Sequence, residues 1–211
     1  MALRDPTHLF EGEVSEGKAR VARIISDVFQ PTVVSIPVFL ILCVQTKDAA
    51  EYVVCASISL FFAVVFPMVE IALWARYKKT DGDIPNREDR FYPLLLGTLS
   101  YAIGAVLLFL VHAPDIITAL MVAYAVNTVA IMLISFRWKI SIHAIGVVGP
   151  AMSLVYAFGP IGLSLIASLP FIMWSRYVLR RHTPAQLVCG ALMGFVLTLV
   201  IFIIMLDISI L

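Results

Sequence analysis

Charge is what this chain has least of. Asp, Glu, Lys and Arg make up only 14% of its 211 residues against 61% hydrophobic. The apolar residues come in runs too long for strands or ordinary amphipathic helices, so lipid and not water is the solvent. Period-two alternation is missing from those runs, which excludes a membrane β-barrel, because only helices satisfy their own backbone amides otherwise. Cysteine is scarce too. Cys43, Cys55 and Cys189 each lie in an apolar stretch without metal-binding or redox spacing, so they read as small buried side chains. The opening "MALRDPTHLFEGEVSEGKAR" has no basic segment running directly into a short apolar core, and a cleaved signal peptide is not expected.

What is present is one all-α membrane helix bundle, with an N-terminal interfacial segment over residues 1–30 and an integral domain over 31–211. In "GKARVARIISDVF", Arg20, Arg23 and Asp27 share one stripe while Val21, Ile24, Ile25 and Val28 share the other, the pattern of a helix lying at a membrane surface. Spanning helices are expected at about 31–46, 52–75, 93–112, 116–136, 144–158, 160–174 and 185–206, six or seven in all.

Three polar islands separate them: "RYKKTDGDIPNREDRFYP" (76–93), "RWKISIH" (137–143) and "SRYVLRRHT" (175–183). Residues 94–136 allow two crossings between the first two islands, turning at "HAPD". Only 31 residues, 144 to 174, separate the second and third, where two full crossings would take about 40. Gly159 and Pro160 stand at the midpoint, so a short helical hairpin is expected there. All three islands then share one face with the N-terminal segment. Trp74, Trp138 and Trp174 mark its headgroup level. Fourteen of the 15 Lys and Arg lie on this face, Lys47 being the exception, and the positive-inside rule makes it the cytoplasmic face of a multi-pass cell-membrane protein.

Lys79, Arg87, Arg90, Ser141, His143, Arg176 and His182 gather donors and proton carriers at that face. Arginine forks match phosphate oxygens, and lysine adds a point charge, so a phosphate is the natural guest. Lys18, Arg20, Arg23 and Arg180 or Arg181, taken singly, read as headgroup anchors. "HTPAQ" places His182 before an N-cap Thr183, Pro184 at the first helical position and Gln186 at the third, a capping box whose free amides favour an anion.

The islands resemble the three-part signature of the type 2 phosphatidic acid phosphatase superfamily, related to the vanadium haloperoxidases: Lys…Arg-Pro, Pro-Ser-Gly-His, and Ser-Arg-x5-His-x3-Asp. Ser175-Arg176, five residues and then His182 carry the most specific part, and the likeness spans residues 79–186, about half the chain. The resemblance implies that His182 attacks phosphorus and carries a phosphohistidine, and that His143 protonates the departing alkoxide. Lys79, Ser141, Arg176 and either Arg87 or Arg90 would hold the phosphoryl oxygens. It calls for no metal and no cofactor. Its partners are a lipid phosphate substrate and membrane lipids, with no nucleic acid.

Departures accompany the likeness. Lys79 to Arg87 is one residue longer than the family spacing, Arg90 is followed by "FYP", Ile140 and Ile142 replace Pro and Gly, and Gln186 stands where the family carries aspartate. A glutamine carbonyl still orients an imidazole but brings no charge, so lower activity is expected. Two other readings remain at this stage. "DGDIPNRED", with Asp81, Asp83 and Asp89, suits a magnesium-dependent prenyl or headgroup transferase. A decayed site that binds a phospholipid without turnover suits Gln186. Glu70 lies within a span, where an inward pairing with an island cation is expected.

Overall fold

The computed structural model of the chain describes residues 14–78 and 90–206. Every element among them is helical. Helix α1, Glu16–Val28, meets α2, Pro31–Leu42, at a bend of 40°. Pro31 opens α2 at the position where its missing N–H costs nothing. After a 3₁₀ turn, Asp48 caps α3, Ala49–Leu60, by accepting from the Glu51 amide at 2.8 Å. A π-turn, Phe61–Val65, leads into α4, Phe66–Lys78. The widened turn has a cause in Pro67. In a π-turn the Phe62 carbonyl looks to residue 67, which has no N–H to offer. Ser100 of helix α5, Phe91–Leu110, donates its hydroxyl to that carbonyl instead, at 2.7 Å.

Helix α5 turns at His112 into α6, Asp115–Ser135. Then follow α7, Ile142–Phe158, a 3₁₀ turn Gly159–Gly162, and the single turn α8, Leu163–Ile166. The chain closes with α9, Leu169–Val178, and α10, Pro184–Leu206. Five stretches are long and apolar enough to cross a membrane: Ala49–Lys78, Phe91–Leu110, Asp115–Ser135, Ile142–Val178 and Pro184–Leu206. The bent pair of α1 and α2 makes six if it counts as one span. The molecule is thus a helical membrane protein.

The segments expected at 144–158 and 160–174 lie in one 37-residue apolar stretch, Ile142–Val178, whose two ends meet at Ser26 through His143 and Arg176. Gly159 takes φ +74°, a left-handed value that a side chain resists, and Gly162 abuts the backbone of Leu154 and Val155. The reversal sits at the glycine and proline that the sequence marks for it.

Helix α6 lies at the centre. Its Ile117, Leu120 and Met121 are fully buried, as are Phe39 and Leu42 of α2, Leu108 of α5 and Val147 of α7 in the same cluster. Polar pairs tie the helices where hydrophobicity cannot, since lipid tails are as apolar as the side chains. The Ser35 and Tyr124 hydroxyls lie 2.8 Å apart between α2 and α6, and the Asn127 amide donates to Thr198 Oγ1 of α10 at 3.2 Å. Leu73, Phe109, Leu110 and Ile204 stay exposed around the outside, as a lipid-facing surface requires.

Candidate functional site

Close backbone approach builds one end of the bundle. A Cβ on Gly190 would lie 3.0 Å from the Ser141 carbonyl oxygen, and one on Gly194 would lie 3.2 Å from Ile145 Cα. These two glycines, one turn apart on α10, let it press against the start of α7, as small residues do between membrane helices. The Ser141 amide donates to the Gln186 carbonyl at 3.4 Å, joining the residue before α7 to the first turn of α10. On the other side of α7, a Cβ on Gly146 would lie 2.6 Å from the Pro31 ring. That contact brings the last turn of α1 beside His143.

His182 is buried ahead of α10. The expected capping box is formed in both directions: Gln186 N–H donates to Thr183 Oγ1, and Thr183 N–H donates to Gln186 Oε1, each at 3.2 Å. The second bond identifies the glutamine atom, because a backbone amide only donates and must face the carbonyl oxygen. The same Oε1 lies 3.2 Å from His182 Nδ1. An acceptor oxygen there requires a proton on Nδ1. Gln186 therefore orients the His182 ring through Nδ1, and it does so without a charge.

Arg176 is buried on α9, with its Nη1 donating to the hydroxyl of Ser26 at 2.8 Å. The same Ser26 Oγ lies 3.5 Å from His143 Nε2, and His143 is half-buried in the first turn of α7. One hydroxyl from α1 thus joins an arginine and an imidazole from two other helices. Ser26 was not among the residues singled out from sequence. Its one local signal is that Ala22 and Ser26, spaced four apart, are the buried residues of α1 while Val21, Ile24 and Val28 point outward.

The link between Arg176 and His182 is tight. Arg181 N–H donates to the Arg176 carbonyl at 3.0 Å and Arg180 N–H to that of Tyr177 at 2.9 Å. Arg180 sits at φ +57°. This closes α9 in the Schellman manner, with an arginine where glycine is usual.

Arg90 is buried, and its Nη1 donates to the Ile140 carbonyl at 3.3 Å, so it borders the loop that carries Ser141. Ser141 caps α7, its hydroxyl accepting from Ala144 N–H at 3.4 Å. Lys79 and Arg87, with Asp81, Asp83 and Asp89, lie outside the described residues. His143, Arg176, His182, Gln186, Ser141 and Arg90 therefore come together at one end of the bundle, with Ser26 linking the first two. Glu70 Oε1 is buried with no hydrogen-bond partner among the described residues, and the island cations Lys79 and Arg87 lie outside them. No group of three or more His, Cys, Asp or Glu is placed to hold a metal among the described residues. Comparison with protein-family models, curated proteins and solved structures found no match.

Proposed function

We propose that this protein is a membrane lipid phosphate phosphatase of the type 2 phosphatidic acid phosphatase kind. Its substrate is a phosphate or diphosphate headgroup, on a polyprenyl or glycerolipid tail, offered at the bilayer surface. The bundle then counts six or seven spanning helices, and the site lies on the cytoplasmic face by the distribution of basic residues. The observation that carries the reading is the meeting of two histidines and two arginines from three separated islands at one end of the bundle.

The chemistry follows from the parts. His182 Nε2 attacks phosphorus and the bond from phosphorus to the lipid oxygen breaks, while His143 gives that oxygen a proton. Water then attacks the phosphohistidine, His143 takes the water's proton, and inorganic phosphate leaves. Arg176 and Arg90 stabilise charge on the phosphoryl oxygens throughout.

Release of inorganic phosphate from a panel of lipid phosphates tests this, using wild type, His182→Ala and His143→Ala, each with and without EDTA. The reading expects release by wild type in both conditions and a loss of at least about a hundredfold in each variant. Equal release by all three proteins contradicts it, and release abolished by EDTA favours the magnesium-dependent transferase.

A further inference from the structure

We infer that Ser26 is a phosphate-contacting residue, so that the N-terminal helix α1 supplies a wall of the site that the three islands alone do not complete. The inference rests on the phosphatase reading and deepens it. Ser26 is 3% exposed, although it sits in a helix whose Lys18, Arg20, Arg23 and Asp27 are all exposed. Its hydroxyl occupies the space between the Arg176 guanidinium and the His143 imidazole. Those are the two groups between which a phosphoryl oxygen and its leaving group have to pass.

The two bonds differ in a way that matters. Arg176 Nη1 to Ser26 Oγ is 2.8 Å, a well-formed bond in which the hydroxyl is the acceptor. Ser26 Oγ to His143 Nε2 is 3.5 Å, at the outer limit for a hydrogen bond. A hydroxyl that accepts from arginine still has its own proton to give. As the acid, His143 carries its proton on Nε2 and donates it to Ser26 Oγ over that long contact, so the hydroxyl proton of Ser26 goes to an incoming phosphate oxygen in a charge-assisted bond. His143 Nε2–H then exchanges that weak acceptor for the leaving oxygen, while Arg176 keeps its hold on Ser26. Ser26 thus holds the anion beside the acid.

Other features of the molecule go less far. Trp74, with Tyr77, Tyr92 and Lys78 around it, has the composition of an aromatic belt at the headgroup level. Glu70 has a buried oxygen without a hydrogen-bond partner but no second group that points to a ligand among the described residues.

The test uses the full chain in detergent and compares wild type with Ser26→Ala, Ser26→Thr and Ser26→Cys. Two quantities are read: the inhibition of lipid phosphate hydrolysis by inorganic phosphate, and the rise in unfolding temperature that inorganic phosphate produces over an equal concentration of chloride. Ser26→Ala is expected to weaken phosphate inhibition about tenfold or more, the scale of one hydrogen bond to a charged group. Ser26→Thr, which keeps the hydroxyl, is expected to stay near wild type. Should the alanine variant fail to elute as a folded protein, Ser26→Cys, close in size and a weak donor, carries the same expectation. An active wild type whose phosphate inhibition is unchanged in Ser26→Ala overturns the inference and leaves the phosphatase reading standing. A wild type that hydrolyses no lipid phosphate sinks that reading, and the thermal measurement then decides for Ser26. A phosphate-dependent rise lost in Ser26→Ala keeps it as an anion ligand, and no such rise in wild type removes it.

Discussion

Gln186 does two local jobs with its side chain and a third with its backbone. Its Oε1 serves Thr183 N–H and His182 Nδ1, while its backbone carbonyl takes Ser141 N–H. Orientation of His182 is therefore complete, and what the glutamine lacks is the charge that steadies an imidazolium or a phosphohistidine. Gln186→Glu keeps both acceptor contacts and adds that charge, so turnover of a lipid phosphate is expected to rise about tenfold, roughly 1.4 kcal/mol in the barrier. Gln186→Leu removes the acceptor and is expected to lower it, since the ring is no longer oriented through Nδ1. Both are read as the rate of phosphate release at saturating substrate. The capping box was legible in sequence because its atoms lie within four residues. Ser26 was not, because its partners stand 117 and 150 positions away, and nothing in "ARIISDV" distinguishes a serine that meets an arginine from one that only packs a helix.

At the scale of elements, two backbone features set the geometry. Arg180 holds a left-handed conformation that L side chains resist by about 1–2 kcal/mol, immediately before the segment that carries His182. The matched variants Arg180→Gly and Arg180→Ala separate that strain from the side chain's own contacts. The glycine variant is expected to be more stable than the alanine variant by about 1 kcal/mol, measured by chemical or thermal unfolding in detergent. Gly146 is the second feature. A valine there meets the Pro31 ring and drives α2, and with it the end of α1, away from α7. Gly146→Val is expected to cost about 1–3 kcal/mol of stability and to lower phosphate release. Gly17→Val, where nothing lies within 4 Å of the added Cβ, is expected to cause no comparable loss. Glycine and proline punctuation made the reversal at Gly159 and Pro160 legible, because a break in a helix is written locally. The π-turn at Phe61–Val65 was not, since its only mark is Pro67 and its filling hydroxyl comes from Ser100, 38 residues on.

For the molecule as a whole, the face shared by the islands follows from how many times the chain crosses. Four contacts settle which described segments meet: Arg90 to Ile140, Ser141 to Gln186, Ser26 to His143 and Ser26 to Arg176. The charge pattern made that grouping legible, because polar islands between apolar runs have few ways to pair. The span count was less so, since 31 residues between two islands suit either one long crossing or a folded pair. In a variant without native cysteines, single cysteines at Lys18, Arg137 and Arg181 are expected to react with a membrane-impermeant thiol reagent from one side only. A cysteine at Lys47 is expected to react from the other. Labelling of Arg137 and Arg181 from opposite sides would contradict the arrangement. The most direct measurement of the central claim is to trap the intermediate, by mixing the protein with lipid carrying radioactive phosphate and quenching in alkali, where phosphohistidine survives. The account predicts label on His182 in wild type, lost under acid and absent from His182→Ala. Sustained hydrolysis with no label on His182, by a protein in which His182→Ala is as active as wild type, would contradict it.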